Sequence, residues 1–180
     1  SGPALLLLHG NGEDHQVFDP LAHKLARHFT VYAIDSRNHG RSARTNEFSY
    51  ETMADDIHGF IATLGLCRVN LLGFSDGAIL GLLLAQKYPQ QVGAMARLGA
   101  NRSPEDFTND SLQWLREEFE KTGDPLFGMM LEQPHIPLGS LQKITAPVLL
   151  VAAQEEIFKP ELYPQMQRAL PNARLEIMHG

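Results

Sequence analysis

Val69-Asn70-Leu71-Leu72-Gly73-Phe74-Ser75-Asp76-Gly77-Ala78-Ile79-Leu80 joins a short apolar run to a glycine-flanked serine and then to an apolar stretch of helical length. Val69 to Leu72 is too short for a helix and predicts a buried strand, whereas the stretch after Gly77 predicts a helix running to about Tyr88, where Pro89 stops it. The turn between them, Gly73 to Gly77, matches G-x-S-x-G. A nucleophilic serine needs this pattern because it must sit on a sharp strand-to-helix turn, where glycine two residues before and after avoids collision with neighbouring backbone. Such a turn exposes the hydroxyl and aims the first N–H groups of the helix at the same point, where they can stabilise an oxyanion. A match of this kind arises by chance in roughly one chain in twenty of this length. Its placement between strand and helix therefore carries the reading, against the alternative of a tight turn that merely packs helix on strand.

Outward from this turn, short apolar runs alternate with segments of helical period. Leu5 to Leu8, Thr30 to Ile34, Ala94 to Leu98, Val148 to Ala152 and Arg174 to Met178 predict further strands. Helices are expected from Asp19, as N-cap before Pro20, to Phe29; over Met53 to Leu64, closed by Gly65; and over Glu161 to Leu170, ended by Pro171. Between Asn101 and Ala146 the rhythm breaks at Pro104, Pro125, Pro134 and Pro137, with one clear helix, about Asp110 to Lys121, which reads as an insertion. Strands alternating with helices define the α/β class: a mostly parallel sheet with helices on both faces, whose ligands bind at the carboxyl ends of the strands. Arg97 stands out in its strand, since parallel strands are apolar on both faces; it either pairs with an acid or marks a frayed end.

The chain has 180 residues, 43% of them hydrophobic and 20% charged, which suits one ordinary globular domain and excludes collagenous, coiled-coil and disordered classes. Fifteen Lys and Arg against 21 Asp and Glu leave a net charge of −6, with no basic excess to meet a phosphate backbone, so nucleic acid is not an expected partner. The longest apolar run, Ala78 to Ala85, is less than half of the roughly 20 residues that cross a bilayer, so no membrane partner is expected. One cysteine, Cys67, cannot form an internal disulfide and fits a reducing, cytoplasmic compartment.

The loop after the first strand, His9-Gly10-Asn11-Gly12-Glu13-Asp14, can supply a second oxyanion donor beside the elbow. A dinucleotide fingerprint is its rival, because Gly10-x-Gly12, a helix and a strand ending in Asp35 have that layout. The position of the third glycine holds His15, whose side chain would obstruct close helix and strand packing. A plain structural turn is the third reading. His9, His15, His23, His28, His58 and His135 show no paired metal spacing, so no metal is expected.

In order and spacing, His9-Gly10-Asn11-Gly12, Asp35-Ser36-Arg37-Asn38-His39-Gly40-Arg41-Ser42 and Gly73 to Gly77 resemble three signatures of the α/β-hydrolase superfamily. The resemblance implies a core over 1–100 and 147–180 with a short helical cap over 101–146. It makes Asp35 and His39 structural, with Asn38 in a glycine position that asparagine tolerates. It also implies a Ser-acid-His triad in which Ser75 is the nucleophile and Glu156, where the family usually has Asp, is the acid. Glu155 competes for that role, and both could instead be solvated. Backbone N–H groups of Asp76 and of Asn11 or Gly12 would hold the oxyanion.

By the same resemblance two strands precede Ser1-Gly2-Pro3 and the histidine lies a few residues past His179. The sequence is then a piece of a larger hydrolase, without a competent base unless His179 swings back. The implied activity is cleavage of a carboxylic ester or related acyl bond in a small molecule, with no cofactor. Thioesterase, C–C hydrolase and perhydrolase chemistry, and a non-catalytic binding protein on the same fold, stay open. An exposed sheet edge would favour a homo-oligomer.

Overall fold

The computed structural model of the chain describes residues 2–154 and 157–179. Leu6, Leu7 and Leu8 have no exposed surface, as a strand covered on both faces demands, and they form the centre of β1 (Ala4–Leu8). With β2 (Thr30–Ile34), β3 (Val69–Phe74), β4 (Val92–Leu98), β5 (Val148–Ala153) and β6 (Ala173–Met178) it builds a six-stranded sheet in the order β2-β1-β3-β4-β5-β6. Every pairing is parallel. The chain winds from β1 out to β2, then returns past β1 to β3, so its direction reverses between β1 and β3. Loops following the strands on either side of such a reversal diverge and open a crevice. Here those loops are the ones beginning at His9 and Ser75.

Among the described residues six helices accompany the sheet: α1 (Asp19–Leu25), α2 (Tyr50–Thr63), α3 (Asp76–Lys87), α4 (Asn109–Thr122), α5 (Pro125–Glu132) and α6 (Leu162–Ala169). Leu6, Leu8, Leu71, Met95 and Leu150 point to one face and form the main core with α2, α3 and α6. Leu5 and Leu7 point to the other and meet Phe18, Leu25 and Phe29 near α1. Beyond α1 this second face is open, with an apolar depression of about 660 Å³ over Leu72, Ala94, Ala96 and Leu149. No helix among the described residues is long and apolar enough to cross a membrane.

Four local expectations are corrected. Asp14, not Asp19, is the capping side chain: its carboxylate accepts the Gln16 N–H at 2.8 Å and opens a 3₁₀ turn, His15–Phe18, ahead of α1. α1 ends at Leu25, and Phe29 reaches its core cluster from the loop that follows. The segment between β4 and β5 holds a second helix, α5, because Gly123 closes α4 at φ 63° and Asp124 then accepts the Leu126 N–H ahead of Pro125. Arg97 lies within an ordered strand, not at a frayed end, and is fully buried; its Nη2 donates to the Asn101 carbonyl at 2.6 Å.

α3 approaches β1 so closely at Gly77 that an added Cβ would fall 2.0 Å from the Leu8 carbonyl oxygen. Backbone cannot yield cheaply there, and overpacking of this kind costs about 1–3 kcal/mol. Gly59, inside α2, would place a Cβ in open space. Chemical denaturation is therefore expected to show a loss of about 1–3 kcal/mol for Gly77→Ala and a gain of up to about 1 kcal/mol for Gly59→Ala. Equal responses would contradict the packing described.

Candidate active site

The elbow is built from one strained residue and two obligatory glycines. Ser75 adopts φ 51° and ψ −119°, a conformation that costs a non-glycine residue about 1–3 kcal/mol. It is held on both sides. Its N–H donates to the Leu98 carbonyl of β4 at 2.9 Å, and its carbonyl accepts the Ala78 and Ile79 N–H groups of α3 at 2.9 and 3.2 Å. A Cβ on Gly73 would lie 2.5 Å from the Gly77 carbonyl oxygen, so the two glycines clear each other as well as β1. The N–H groups of Asp76 and Gly77 open α3, where a helix offers them no acceptor one turn back.

The loop after β1 leans on this turn. A Cβ on Gly10 would come within 3.1 Å of the Ser75 Cβ and 3.2 Å of the Phe74 ring. The Gly10 N–H is already given to Glu13 Oε2 at 2.9 Å, which leaves Asn11 and Gly12 as the loop's candidate donors. His9 anchors the loop from below. It is buried, its Nε2 accepts the Ser36 N–H at 3.0 Å, and Nδ1 donates to the Gly10 carbonyl at 2.8 Å, which defines the neutral tautomer.

Asp35, the residue a nucleotide site would use at the end of β2, is consumed locally. Its carboxylate takes the His15 N–H and Nδ1 and the Arg41 N–H, at 2.8, 2.7 and 2.9 Å. Burial alone would raise its pKa, but those N–H groups and the His15 ring outweigh it and hold Asp35 at about 2. Gly40 turns beside it at φ 47°, where a Cβ would strike the Asp35 carboxyl, and Asn38 takes the left-handed φ of 65°. Asp14, His15 and Asp35 bring ligand-type atoms within 4.8 Å of one another, yet the bonds just described and the cap on Gln16 already occupy them. Burial lowers the pKa of His39, whose Nδ1 donates to the Arg37 carbonyl, so it too is a neutral structural residue.

Sequence reasoning placed Asp76 through its backbone and missed its side chain. The carboxylate is buried against the elbow, and Tyr50 on α2 donates its hydroxyl to Oδ1 at 2.9 Å. Burial raises the Asp76 pKa to about 6 against the lowering effect of Tyr50 and of the Asn11 amide, while Glu13 adds to the rise. The Asn11 amide favours the ionised form but closes no well-formed bond on Oδ2, which has no hydrogen-bond partner among the described residues. Asn11 Nδ2 instead donates to the Leu126 carbonyl of α5 at 3.3 Å. An acid between the serine of the turn and the apolar positions of a helix was the available signal, since such a side chain must be buried.

A cavity of about 300 Å³ lies over Ser75, walled by Phe74, Leu98, Val151, Ile157, Phe158 and Met178. His179 follows β6 on the same side, but it is exposed and its Nδ1 meets Gln154 Oε1 at 3.2 Å; among the described residues it makes no bond to Ser75. Glu155 and Glu156 lie outside the described residues.

An all-parallel sheet with a strained serine at its winding reversal defines an α/β hydrolase fold with a nucleophile-elbow geometry. Residues 3–124 match the alpha/beta hydrolase fold family, and the chain belongs to it. The chain is 39% identical over 98 residues to "Uncharacterized hydrolase YraK" of Bacillus subtilis, covering 53% of this chain and 36% of that protein. It is 40% identical over 100 residues to 2-(acetamidomethylene)succinate hydrolase of Mesorhizobium japonicum, covering 54% and 36%. The matched stretch thus spans about a third of these relatives. The solved structure of Rv0554 from Mycobacterium tuberculosis superposes with a TM-score of 0.85 at 19% identity, over 99% of this chain and 82% of that one.

Asp76 makes stability depend on pH. A carboxyl whose folded pKa of about 6 exceeds its ordinary value of 3.8 favours folding when protonated, and that contribution is lost as pH rises through 6. Asp76→Asn keeps the acceptor for Tyr50 and removes the charge. At pH 8 the variant is expected to be more stable than wild type by roughly 2–3 kcal/mol, with the difference vanishing below about pH 4. Urea unfolding at the two pH values checks this; a constant difference would contradict it.

Proposed function

We propose that the protein is a serine hydrolase that cleaves a carboxylic ester or related acyl bond of a small molecule. The observation that carries this reading is Ser75 at φ 51° on the turn between β3 and α3, with the Gly10 loop packed against its Cβ. Strain at a single polar residue facing a cavity is what an exposed nucleophile requires and what a packing turn does not. The hydrolase names of the two sequence relatives support the same class.

In this reading Ser75 Oγ attacks the carbonyl carbon while a histidine takes its proton, and the carbonyl oxygen becomes an oxyanion held by the Asp76 N–H and that of Asn11 or Gly12. The C–O bond then breaks, the histidine returns the proton to the departing alcohol, and water hydrolyses the acyl-serine by the same steps. The base belongs to the loop that follows β6, which His179 begins. Glu156, which follows β5 in the sequence, orients the base and stabilises its imidazolium. Each step is a proton transfer or acyl transfer and balances without a cofactor.

In the whole protein, Ser75→Ala is expected to lower kcat for p-nitrophenyl acetate by at least about 10⁴-fold with the unfolding midpoint retained. Undiminished turnover would sink the serine mechanism. Glu156→Gln is expected to lower kcat by roughly 10³–10⁴-fold and Glu155→Gln by less than about tenfold, because only the acid facing the base stabilises imidazolium. Small, equal losses would refute the assignment.

A further inference from the structure

The cavity over Ser75 shares a wall residue with a second depression. Ile157, which forms one side of it, is 52% exposed and also forms one side of a second depression of about 310 Å³ between α4 and α5. That groove is lined by Phe107, Trp114, Leu115 and Met130, with Asp110 and Ser111 as its polar members. Trp114 is 54% exposed although its ring is set edge-on to Phe127 at 5.9 Å, so a large apolar surface is held in place yet left uncovered. The shared wall is anchored to both sides. The Thr108 N–H donates to the Ile157 carbonyl at 3.0 Å, the Lys159 N–H donates to the Asp106 carbonyl at 2.7 Å, and Phe107 and Phe158 pair across the short antiparallel bridge between them.

Each depression alone sits at the lower limit of about 300 Å³ for a small-molecule site, whereas the two in series fall in the middle of the usual range. Among the described residues no cationic side chain lines the groove and the one charged member is acidic, so a carboxylate or phosphate would be repelled. An uncharged apolar chain would bury its own surface together with that of Trp114 and Ile157. We infer that the groove between α4 and α5 binds the linear aliphatic chain of the ester substrate, which runs from Ser75 over Ile157 to Trp114. This rests on the serine hydrolase reading and adds the substrate's chemistry to it.

Trp114 is the chain's one tryptophan, so its emission reports the groove without reference to catalysis. In the Ser75→Ala protein, ethyl octanoate is expected to shift Trp114 emission to the blue with saturation, and ethyl acetate to leave it unchanged at the same concentrations. In the active protein, kcat/KM is expected to rise roughly threefold per added methylene from acetyl toward octanoyl p-nitrophenyl esters if the chain is on the acyl side, or along alkyl acetates if it is on the alcohol side. Ile157→Asp is expected to reduce the octanoyl-to-acetyl ratio, or the matching alkyl ratio, by at least tenfold. Met130→Arg serves as a second variant with the same expected loss of ratio. A silent Trp114 with chain-length-independent turnover would overturn the groove and leave the serine reading standing. A saturable emission shift with no hydrolysis of any ester would support the groove and overturn the serine reading. Emission that changes with protein concentration and not with ester would mean that a second copy covers the groove, and would overturn the inference.

Discussion

α3 rests on β1 through bare backbone. Gly77 brings the first turn of the helix against the Leu8 carbonyl, Gly73 clears the same turn from the strand side, and any side chain at either position would push the helix away. Ser75 lies between these glycines, and its left-handed conformation follows from how little room the chain has to reverse from strand to helix. The strain, about 1–3 kcal/mol, is small beside the burial on both sides. Leu6 and Leu8 on β1, Leu71 on β3 and Ala78 to Leu80 on α3 are all but inaccessible, and each large aliphatic side chain among them stabilises the fold by about 1.5–3 kcal/mol.

Around that contact the loops are tied to one another by polar groups that are buried or part-buried. His9 joins the loop after β1 to the loop after β2, Tyr50 joins α2 to the elbow through Asp76, and Asn11 reaches α5. Gln133 at the end of α5 spans the start of α2, accepting the Tyr50 N–H and donating to the Phe48 carbonyl. The segment that carries α5 is therefore coupled to the residues beside Ser75 by hydrogen bonds that need fixed positions, not only by apolar contact. Asp76 is the sensitive member of this set, because its carboxylate is buried with one oxygen unpaired and its ionisation falls near pH 6.

Much of this was legible from periodicity. The runs from Leu5, Thr30, Val69, Ala94, Val148 and Arg174 each became a strand within two residues of the expected ends, since an apolar stretch of that length has few other uses in an α/β chain. The glycines of the elbow were legible for the same steric reason that the structure displays. Local chemistry was harder to read. Asp14 and Asp19 are both plausible caps, and the choice between them depends on where Asp35 and His15 meet, which is a tertiary contact. The second helix between β4 and β5 was hidden by the prolines around it, although Asp124-Pro125 has the same aspartate-before-proline form as Asp19-Pro20. Tyr50 and the Asp76 side chain gave no periodic signal, because a hydrogen bond between residues 26 positions apart leaves none.

The central claim is that the elbow turns Ser75 into an activated nucleophile. The whole protein treated with a fluorophosphonate, digested and mapped by mass spectrometry, tests it most directly. The account predicts a single phosphonyl adduct on Ser75, formed at near-stoichiometric yield and lost on denaturation before treatment. An unmodified Ser75 in the folded protein, or a label spread over surface serines, would contradict it.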